Sequence, residues 1–453
     1  MEVFIVLLVL GLISYMIMKE YNATVMLLAG GMILLFSAAI LGHPIFDVSE
    51  SSGLTWLDPF KSIQVQLIKQ LNPIGLTIMV LFGFSSYTTA IKANEVAVRI
   101  MTAPIAGMKS KYMLVPVVFL LGNVLSLVVP SASSLAVLLM ATLYPALQRS
   151  GMSSLTAGAI IATAATIMPT PLGADNVVAA QNLGVGLIEY VFGYHAKISI
   201  PALIVMAIAH YFWQKYMDKR QQAASTADID TSKLILSKDL PPAYYGILPI
   251  LPLVLVIVFG LIFSKVKFDI IGITFICFIL TILVDLFHKR NVRMVFDQVK
   301  FFFKGMGDGF ASVVTLLVAA SLLVQGIQAM GILDMLLKSV RYVSGASLIL
   351  MLIFCAITTI IALISGSGLA AFYSFIVLIP AIAEQSGVNA IAIALPMQLF
   401  SNLVRSISPV SAVVIIVASI IKVSPMEVVK RTSIPIILSM LVCMVLSIAM
   451  FGI

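Results

Sequence analysis

Charged residues are scarce in this chain of 453 residues. Asp, Glu, Lys and Arg make up 10% of the sequence, whereas an average soluble domain contains about 25%. Hydrophobic residues make up 61%, more than a water-soluble fold can bury. We therefore predict an integral membrane protein, and this prediction excludes the soluble classes of enzyme and binding domain.

Cysteine and histidine are rare as well, with three and four residues. Cys277, Cys355 and Cys443 lie inside apolar runs without the spacing of metal ligands, so we interpret them as small hydrophobic residues. No His-Glu-x-x-His motif is present. We expect no disulfide framework, no metal and no cofactor.

One motif favours an enzyme. Residues 305–308 read Gly-Met-Gly-Asp, the Gly-x-Gly-Asp pattern of intramembrane aspartyl proteases. That chemistry needs a second carboxylate in the same site, and Asp175 lacks the Tyr-Asp context of the protease family. We keep the protease as a remote alternative and expect no enzyme.

Many apolar runs approach or exceed the roughly 20 helical residues that cross a hydrocarbon core. The first of them lacks the basic segment and the cleavage site of a signal peptide, so we expect a retained helix. Two of the runs, 155–190 and 388–421, are long and interrupted. We predict spanning helices near 3–18, 23–41, 74–91, 155–190, 198–213, 244–263, 269–287, 308–330, 388–421 and 433–452.

The formal net charge is +8, but the basic residues lie in short loops between apolar runs. This distribution predicts a topology and no nucleic-acid partner. The excess of Lys and Arg in alternate loops places both termini in the periplasm of a bacterial inner membrane and leaves Arg405 as the one basic residue within the membrane. The polar stretch 214–240 is expected to be a cytoplasmic linker, and residues 42–72 are expected to lie at the outer surface.

Two further apolar pairs, 113–148 and 348–383, each fold about a tip of small polar residues. The arm 135–148 is about 21 Å long as a helix, too short for a core of about 30 Å, which favours re-entrant hairpins. Backbone that turns inside a membrane must pack against protein or line a cavity, so each tip is a packing contact or a site. The tip residues are Ser131, Ser133 and Ser134, and Ser365, Gly366, Ser367 and Gly368.

Proline interrupts the long apolar run that follows each hairpin, at Thr170-Pro171 and at Ser408-Pro409. Proline removes a backbone donor and leaves carbonyl groups and the amides of the next half-helix free. A half-helix N-terminus that faces a cavity can bind an anion. A simple proline kink is the alternative for either motif alone.

These features recur at an offset of about 236 residues, since Ser150-Gly151 matches Ser386-Gly387 and Thr170-Pro171 matches Ser408-Pro409. In the charge-derived topology the two hairpins enter from opposite sides, so we predict inverted repeats, the architecture of many secondary transporters. The predicted organisation is an N-terminal region at 1–72, repeats at 73–213 and 298–453, and a linker with two connecting helices at 214–297.

Four phrases resemble the DcuC family of anaerobic C4-dicarboxylate carriers, within the ion transporter superfamily. They are LAVLLMATLYP at 135–145, GSGLAAFYSF at 366–375, SNLVRSISPVSAVV at 401–414 and SPMEVVKRTSIP at 424–435. The resemblance implies a scaffold domain and a mobile transport domain that work as a dimeric elevator. It implies succinate, fumarate, malate or aspartate as substrate, with succinate efflux or dicarboxylate exchange as the role. Another organic anion or an amino acid on the same fold is the alternative.

The sodium-coupled branch of the superfamily carries Ser-Asn-Thr at both hairpin tips, and neither tip here does. Protons or a counter-substrate are therefore at least as well supported as sodium. Arg405 is expected to bind one substrate carboxylate, with an ion pair to Asp175 as the alternative, and Asp175 with Asn176 to carry the coupling ion. For Asp285 and Asp308 we favour structural roles near helix ends. Besides the tip residues and Arg405, the expected substrate residues are Thr170, Pro171, Ser401, Asn402, Ser408 and Pro409.

Overall fold

A computed structural model describes residues 2–19, 21–47, 49–107, 110–220, 239–261, 269–331 and 346–453. Within these ranges the chain forms helices and connecting loops and no strand. Eight of the described helices are long and apolar enough to cross a membrane, and the number is up to nine if one bent pair counts as a single span. The prediction of an all-α polytopic protein is confirmed.

The third predicted span begins close to the residue expected. A kink at Asn72, whose φ of −121° and ψ of 123° are not helical, separates α3 from α4, and α4 starts at Leu76, near the residue 74 that the apolar run indicated. The preceding helix α3 packs against the protein, where Gln70 donates to the Ser321 hydroxyl at 2.8 Å. The elements are α1 Glu2–Met18, α2 Ala23–Ile40, α3 Asp58–Gln70, α4 Leu76–Ala90 and α5 Ala93–Thr102.

The first hairpin and the broken helix after it form the first unit, residues 114–220. Its helices are α6 Leu114–Leu125, α7 Ala132–Thr142, α8 Tyr144–Arg149, α9 Ser154–Ala162, α10 Ala174–Asn182 and α11 Ala196–Arg220. The break spans 163–173, earlier and longer than the prolines alone indicated. Asn123 of the hairpin supports it, because its amide donates to the Thr163 carbonyl at 3.3 Å and accepts from the Thr166 amide at 3.2 Å.

The connecting region contains two corrections. Residues 214–220, expected in a linker, form the end of α11, and the remainder of that linker up to 238 lies outside the described residues. The Gly-x-Gly-Asp motif, expected to open an interfacial helix, lies inside a continuous helix, because Phe310–Val314 joins α14 to α15. The helices are α12 Leu251–Leu261, α13 Ile270–Lys289, α14 Val292–Gly309 and α15 Thr315–Ala329.

The second hairpin and its broken helix form the second unit, residues 346–451. Its helices are α16 Ala346–Ser365, α17 Gly368–Ile376, α18 Ile379–Ser386, α19 Ala390–Val404, α20 Ala412–Ile420 and α21 Pro425–Phe451. The break at 405–411 falls where the Ser-Pro motif predicted it. The order of elements is the same as in the first unit: hairpin, helix, break, helix and a long final helix.

Among the residues that the structure describes, two ion pairs lie inside the helices. Asp285 is fully buried and pairs with Lys289 at 2.8 Å, in line with its expected structural role. Arg431, which the topology assigned to a cytoplasmic loop, is 1% exposed and pairs with Asp218 of α11 at 2.8 Å. Arg405 is therefore not the only arginine taken out of water.

Candidate substrate site

A cavity of about 950 Å³ lies between the two hairpin tips, the two breaks and the helices α4 and α14. Its size suits a small organic ligand. The structure brings most of the predicted site residues onto its surface, from both units. These are Ser131, Ser133, Ser134, Thr170, Asp175, Ser365, Gly366, Ser367, Gly368, Asn402 and Arg405.

Five predicted residues lie outside the cavity lining: Pro171, Asn176, Ser401, Ser408 and Pro409. The two serines are fully buried, and their hydroxyls are occupied by backbone carbonyls. Ser401 donates to the Gln398 carbonyl at 2.8 Å, and Ser408 donates to the Leu363 carbonyl at 2.7 Å. In this conformation these hydroxyls satisfy local carbonyls and join the second hairpin to its break.

The second hairpin tip lies directly against its break. Gly366 has φ +70°, a conformation that glycine adopts without strain, and a Cβ there would lie 2.7 Å from the Val410 carbonyl oxygen. A Cβ on Gly368 would overlap the carbonyl oxygen of Ser401. The two glycines thus allow the backbone of the tip to approach α19 and the break. Ser367 caps α17 by accepting from the Ala370 amide at 3.4 Å.

Asp175 lies in the first turn of α10 and links the two broken helices. Its Oδ2 accepts from the Gln398 amide at 2.9 Å and from the Asn402 amide at 2.7 Å, both of α19. Gln398 also donates to the side-chain oxygen Oδ1 of Asn176 at 2.8 Å and accepts from the Tyr190 hydroxyl. Two N–H donors and a helix N-terminus stabilise the negative charge of Asp175.

Arg405 begins the second break and faces the first. Its Nη2 donates to the carbonyl of Ala165, which the first break leaves free. Its Nε has no hydrogen-bond partner, and its guanidinium forms no ion pair with a residue that the structure describes. The direct pair with Asp175 considered as an alternative is therefore not formed. A guanidinium without a counter-ion is left at the cavity.

Several residues that line the cavity were not predicted from the sequence. Tyr373 of α17 is 2% exposed, and its hydroxyl has no partner among the described residues. His195 is 1% exposed and also borders the cavity. We define the helical wall as the polar residues that face the units from α4 and α14–α15: Ser85, Ser86, Thr89, Asp308 and Ser312. The spacing of the hydroxyl residues Ser85, Ser86 and Thr89 along α4 is a sequence signal that could have identified part of the helical wall.

The charges on the cavity lining are two carboxylates, Asp175 and Asp308, and one guanidinium, Arg405. The described residues contain no group of three or more His, Cys, Asp or Glu that could hold a metal ion. Within the described part of the chain, the cavity offers hydroxyl groups, the guanidinium of Arg405 and several helix N-termini. Such groups are suited to bind an anion.

A family model described as DcuC, C4-dicarboxylate anaerobic carrier, matches residues 1–452. The chain belongs to the DcuC family. The anaerobic C4-dicarboxylate transporter DcuC of Escherichia coli is 38% identical over 441 residues, which cover 97% of this chain and 94% of that protein. The probable anaerobic C4-dicarboxylate transporter DcuC of Vibrio cholerae is 38% identical over 443 residues, with 97% and 96% covered.

DcuC proteins are transporters, so this member is a multi-pass membrane transporter and not an enzyme, and the protease alternative is wrong. Two solved structures share its fold. The Alcanivorax borkumensis YdaH transporter has a TM-score of 0.63 at 13% identity, covering 95% of this chain and 98% of that one. Neisseria gonorrhoeae MtrF, from a class of antimetabolite efflux pumps, has a TM-score of 0.59 at 14% identity, with 96% of both chains covered.

Proposed function

We propose that this chain carries C4-dicarboxylates such as succinate, fumarate, malate and aspartate across the bacterial inner membrane. The observation that supports this most directly is the guanidinium of Arg405, which lies at a hydroxyl-lined cavity and forms no direct ion pair with a described residue. An intramembrane charge costs about 2.5 to 3.5 kcal/mol on insertion scales. A substrate carboxylate would contact the guanidinium directly and accept two charge-assisted hydrogen bonds from its planar N–H groups.

The remaining donors fit a second carboxylate. The unpartnered hydroxyl of Tyr373 and the serine hydroxyls at both tips can donate to carboxylate oxygens. The helices α7, α10 and α17 begin at the cavity, where their free amides favour negative charge. A dianion that loses its hydration here would regain hydrogen bonds from both units.

The proposed mechanism is an elevator built from two inverted repeats in a homodimer, with both termini in the periplasm. The repeated order of elements supports the internal repeat. The tips and breaks are tied to one another, as Ser408 to Leu363 and Arg405 to Ala165, whereas they meet the helical wall across the cavity. We therefore assign the two units to the mobile domain and α4 with α14 to the scaffold.

Coupling is proposed to involve Asp175 with its neighbour Asn176, and a proton, a counter-substrate or sodium as the coupling species. Asp175 lies on the cavity lining directly after the first break. In the cell we propose succinate efflux or exchange of one dicarboxylate for another.

The test is uptake of labelled succinate into proteoliposomes, with fumarate, malate, aspartate and citrate as competitors. We expect saturable uptake that the C4 compounds inhibit and citrate does not. Arg405→Lys keeps the charge but loses the planar pair of donors, so the KM for succinate should rise at least tenfold while the protein still inserts. Arg405→Ala should be at least as impaired.

Two results would redirect the proposal. Uptake of an amino acid or another organic anion in preference to every C4 dicarboxylate would favour the alternative cargo. Parental affinity in both Arg405 variants would leave the tips and helix ends as the anion site, and would remove the observation on which the proposal rests.

A further inference from the structure

The helical wall carries a carboxylate that the proposed anion site does not explain. Asp308 is exposed at the cavity, on the opposite side from the tips. It forms no ion pair with a described residue, and Lys304, one turn before it on α14, lies beyond ion-pair distance. Its backbone carbonyl accepts from the Ser312 hydroxyl at 2.6 Å, and no side-chain hydrogen bond to a described residue occupies its carboxylate.

The position of Asp308 is fixed by close helix packing. A Cβ on Gly305 would lie 2.5 Å from both the Phe82 carbonyl oxygen and the Ser86 Cβ, and a Cβ on Gly309 would lie 3.1 Å from the Phe82 Cβ. The helices α14 and α4 therefore meet through glycines on both sides of Asp308 in sequence. This packing holds the carboxylate toward the cavity.

The net charge of the cavity lining determines what kind of ligand Asp308 can bind. Asp175 and Asp308 oppose the single guanidinium of Arg405, so the lining is negative before substrate arrives. The other titratable groups there are His195 and Tyr373, and α4 contributes only hydroxyls beside Asp308. A dianion would add two more negative charges in a medium of low dielectric constant, which is strongly unfavourable without compensation. Positive charge must enter with it.

We propose that Asp308 binds the positive charge that enters the cavity together with the dicarboxylate. This inference rests on the proposed function. The amides of Gln398 and Asn402 already satisfy one oxygen of Asp175, whereas both oxygens of Asp308 are open to a ligand. The positive charge has two possible sources: the ammonium group of an amino dicarboxylate, or a coupling cation that accompanies a plain one. In both cases Asp308 determines the total charge of the substrate, or of the substrate and its coupling cation, that is carried.

The experiment compares Asp308→Asn with Asp297→Asn in proteoliposomes. Asp297 is an exposed carboxylate on the same helix that does not line the cavity, so the control makes the same chemical change. Two quantities are measured: the ratio of KM for L-aspartate to KM for succinate, and succinate accumulation driven by a proton or sodium gradient. Succinate counterflow, which needs no gradient, is recorded alongside them.

If Asp308 binds the substrate ammonium, Asp308→Asn raises the aspartate-to-succinate KM ratio at least tenfold relative to Asp297→Asn. If it binds the coupling cation, Asp308→Asn abolishes gradient-driven accumulation of succinate and retains counterflow. The inference is overturned if neither quantity differs from the control, or if Lys304→Met reproduces the defect, because the carboxylate would then serve its own helix.

Should Asp308→Asn fail to insert, Asp308→Glu and Asp308→Gln provide a pair of equal size that differs in charge. The charged member should retain the ratio and the accumulation, and the neutral one should lose at least one of them; equal behaviour would contradict the inference. Absence of dicarboxylate uptake by the parent protein would instead refute the proposed function.

Discussion

The two units use the same order of elements but close their hairpin tips differently. The second tip contains Gly366 and Gly368, and both lie against the backbone of the second unit's own broken helix. The first tip contains serines and no glycine, and Ser131 and Ser134 are exposed toward the cavity. Both tips present serine hydroxyls to the cavity, Ser367 among them, but only the second tip is tightly docked against its own broken helix.

The two breaks also differ, both in length and in the charged residue next to each. The first extends over 163–173 and is followed by a carboxylate that two amides hold, and the second is short and begins with an arginine that has no counter-ion. Side chains of the second break, including Arg405 and Ser406, donate to carbonyls that the first leaves free. The second unit therefore binds carbonyls of the first break, alongside Asn123 of the first unit, while the first unit supplies much of the polar surface.

The largest effect is expected for Gly368→Ala in the second tip. The added methyl group would overlap the Ser401 carbonyl, and overpacking of this kind costs about 3 kcal/mol. Because the neighbouring atom is backbone, relief requires α17 and α19 to separate. We expect loss of succinate uptake and a lower Tm in detergent.

A matched control is Gly11→Ala in α1, where an added Cβ would meet no atom within 4 Å. In that helix alanine should be neutral or slightly stabilising. If Gly368→Ala transported as well as Gly11→Ala, the second tip would not be a tightly docked element, and the distinction between the two tips would be lost.

A smaller effect is expected for Asp175→Asn, which separates charge from contact in the first unit. The asparagine can present its carbonyl oxygen to Gln398 and Asn402, so both hydrogen bonds can remain. Only the charge is removed. We expect succinate uptake to lose its dependence on the pH gradient while exchange of one dicarboxylate for another continues. An unchanged pH dependence would assign Asp175 to the junction of the broken helices alone.

The smallest effect should come from Ser408→Ala in the second break. The hydroxyl is buried and donates to the Leu363 carbonyl, and loss of such a bond costs about 1 to 2 kcal/mol. We expect a modest fall in Tm and an unchanged KM for succinate. A rise in KM without a fall in Tm would return Ser408 to the substrate site that its sequence motif first suggested.

Much of the cavity lining could be predicted from the sequence, because a backbone that turns inside a membrane requires small residues and proline. That rule located both tips and both proline motifs, and the scarcity of charge singled out Arg405. The start of the first break was predicted too late in the sequence, because Asn123, whose side chain binds the backbone of the break, lies on another helix. Hydropathy reports the composition of one segment and contains no information about partners from elsewhere in the chain.

The same reason explains the other differences. Gln398 and Tyr373 lie in apolar helices, and neither has a neighbour in sequence that indicates a polar role. Asp308 was interpreted from a short motif as a helix start, although α14 and α15 are continuous. Arg431 looked like a loop residue because its partner Asp218 is on α11. The roles of these residues depend on contacts between helices that are distant in sequence.

The Arg431–Asp218 pair has a consequence for biosynthesis. The carboxylate is translated long before the final helix that brings the guanidinium, and Ser153, Thr156 and Gln214 complete the cluster around them. A buried charge that lacks its partner destabilises a protein by about 3 to 5 kcal/mol. A nascent chain that lacks α21 would hold an uncompensated Asp218, so the end of α11 gains its full stability only after α21 has been translated and has packed against it.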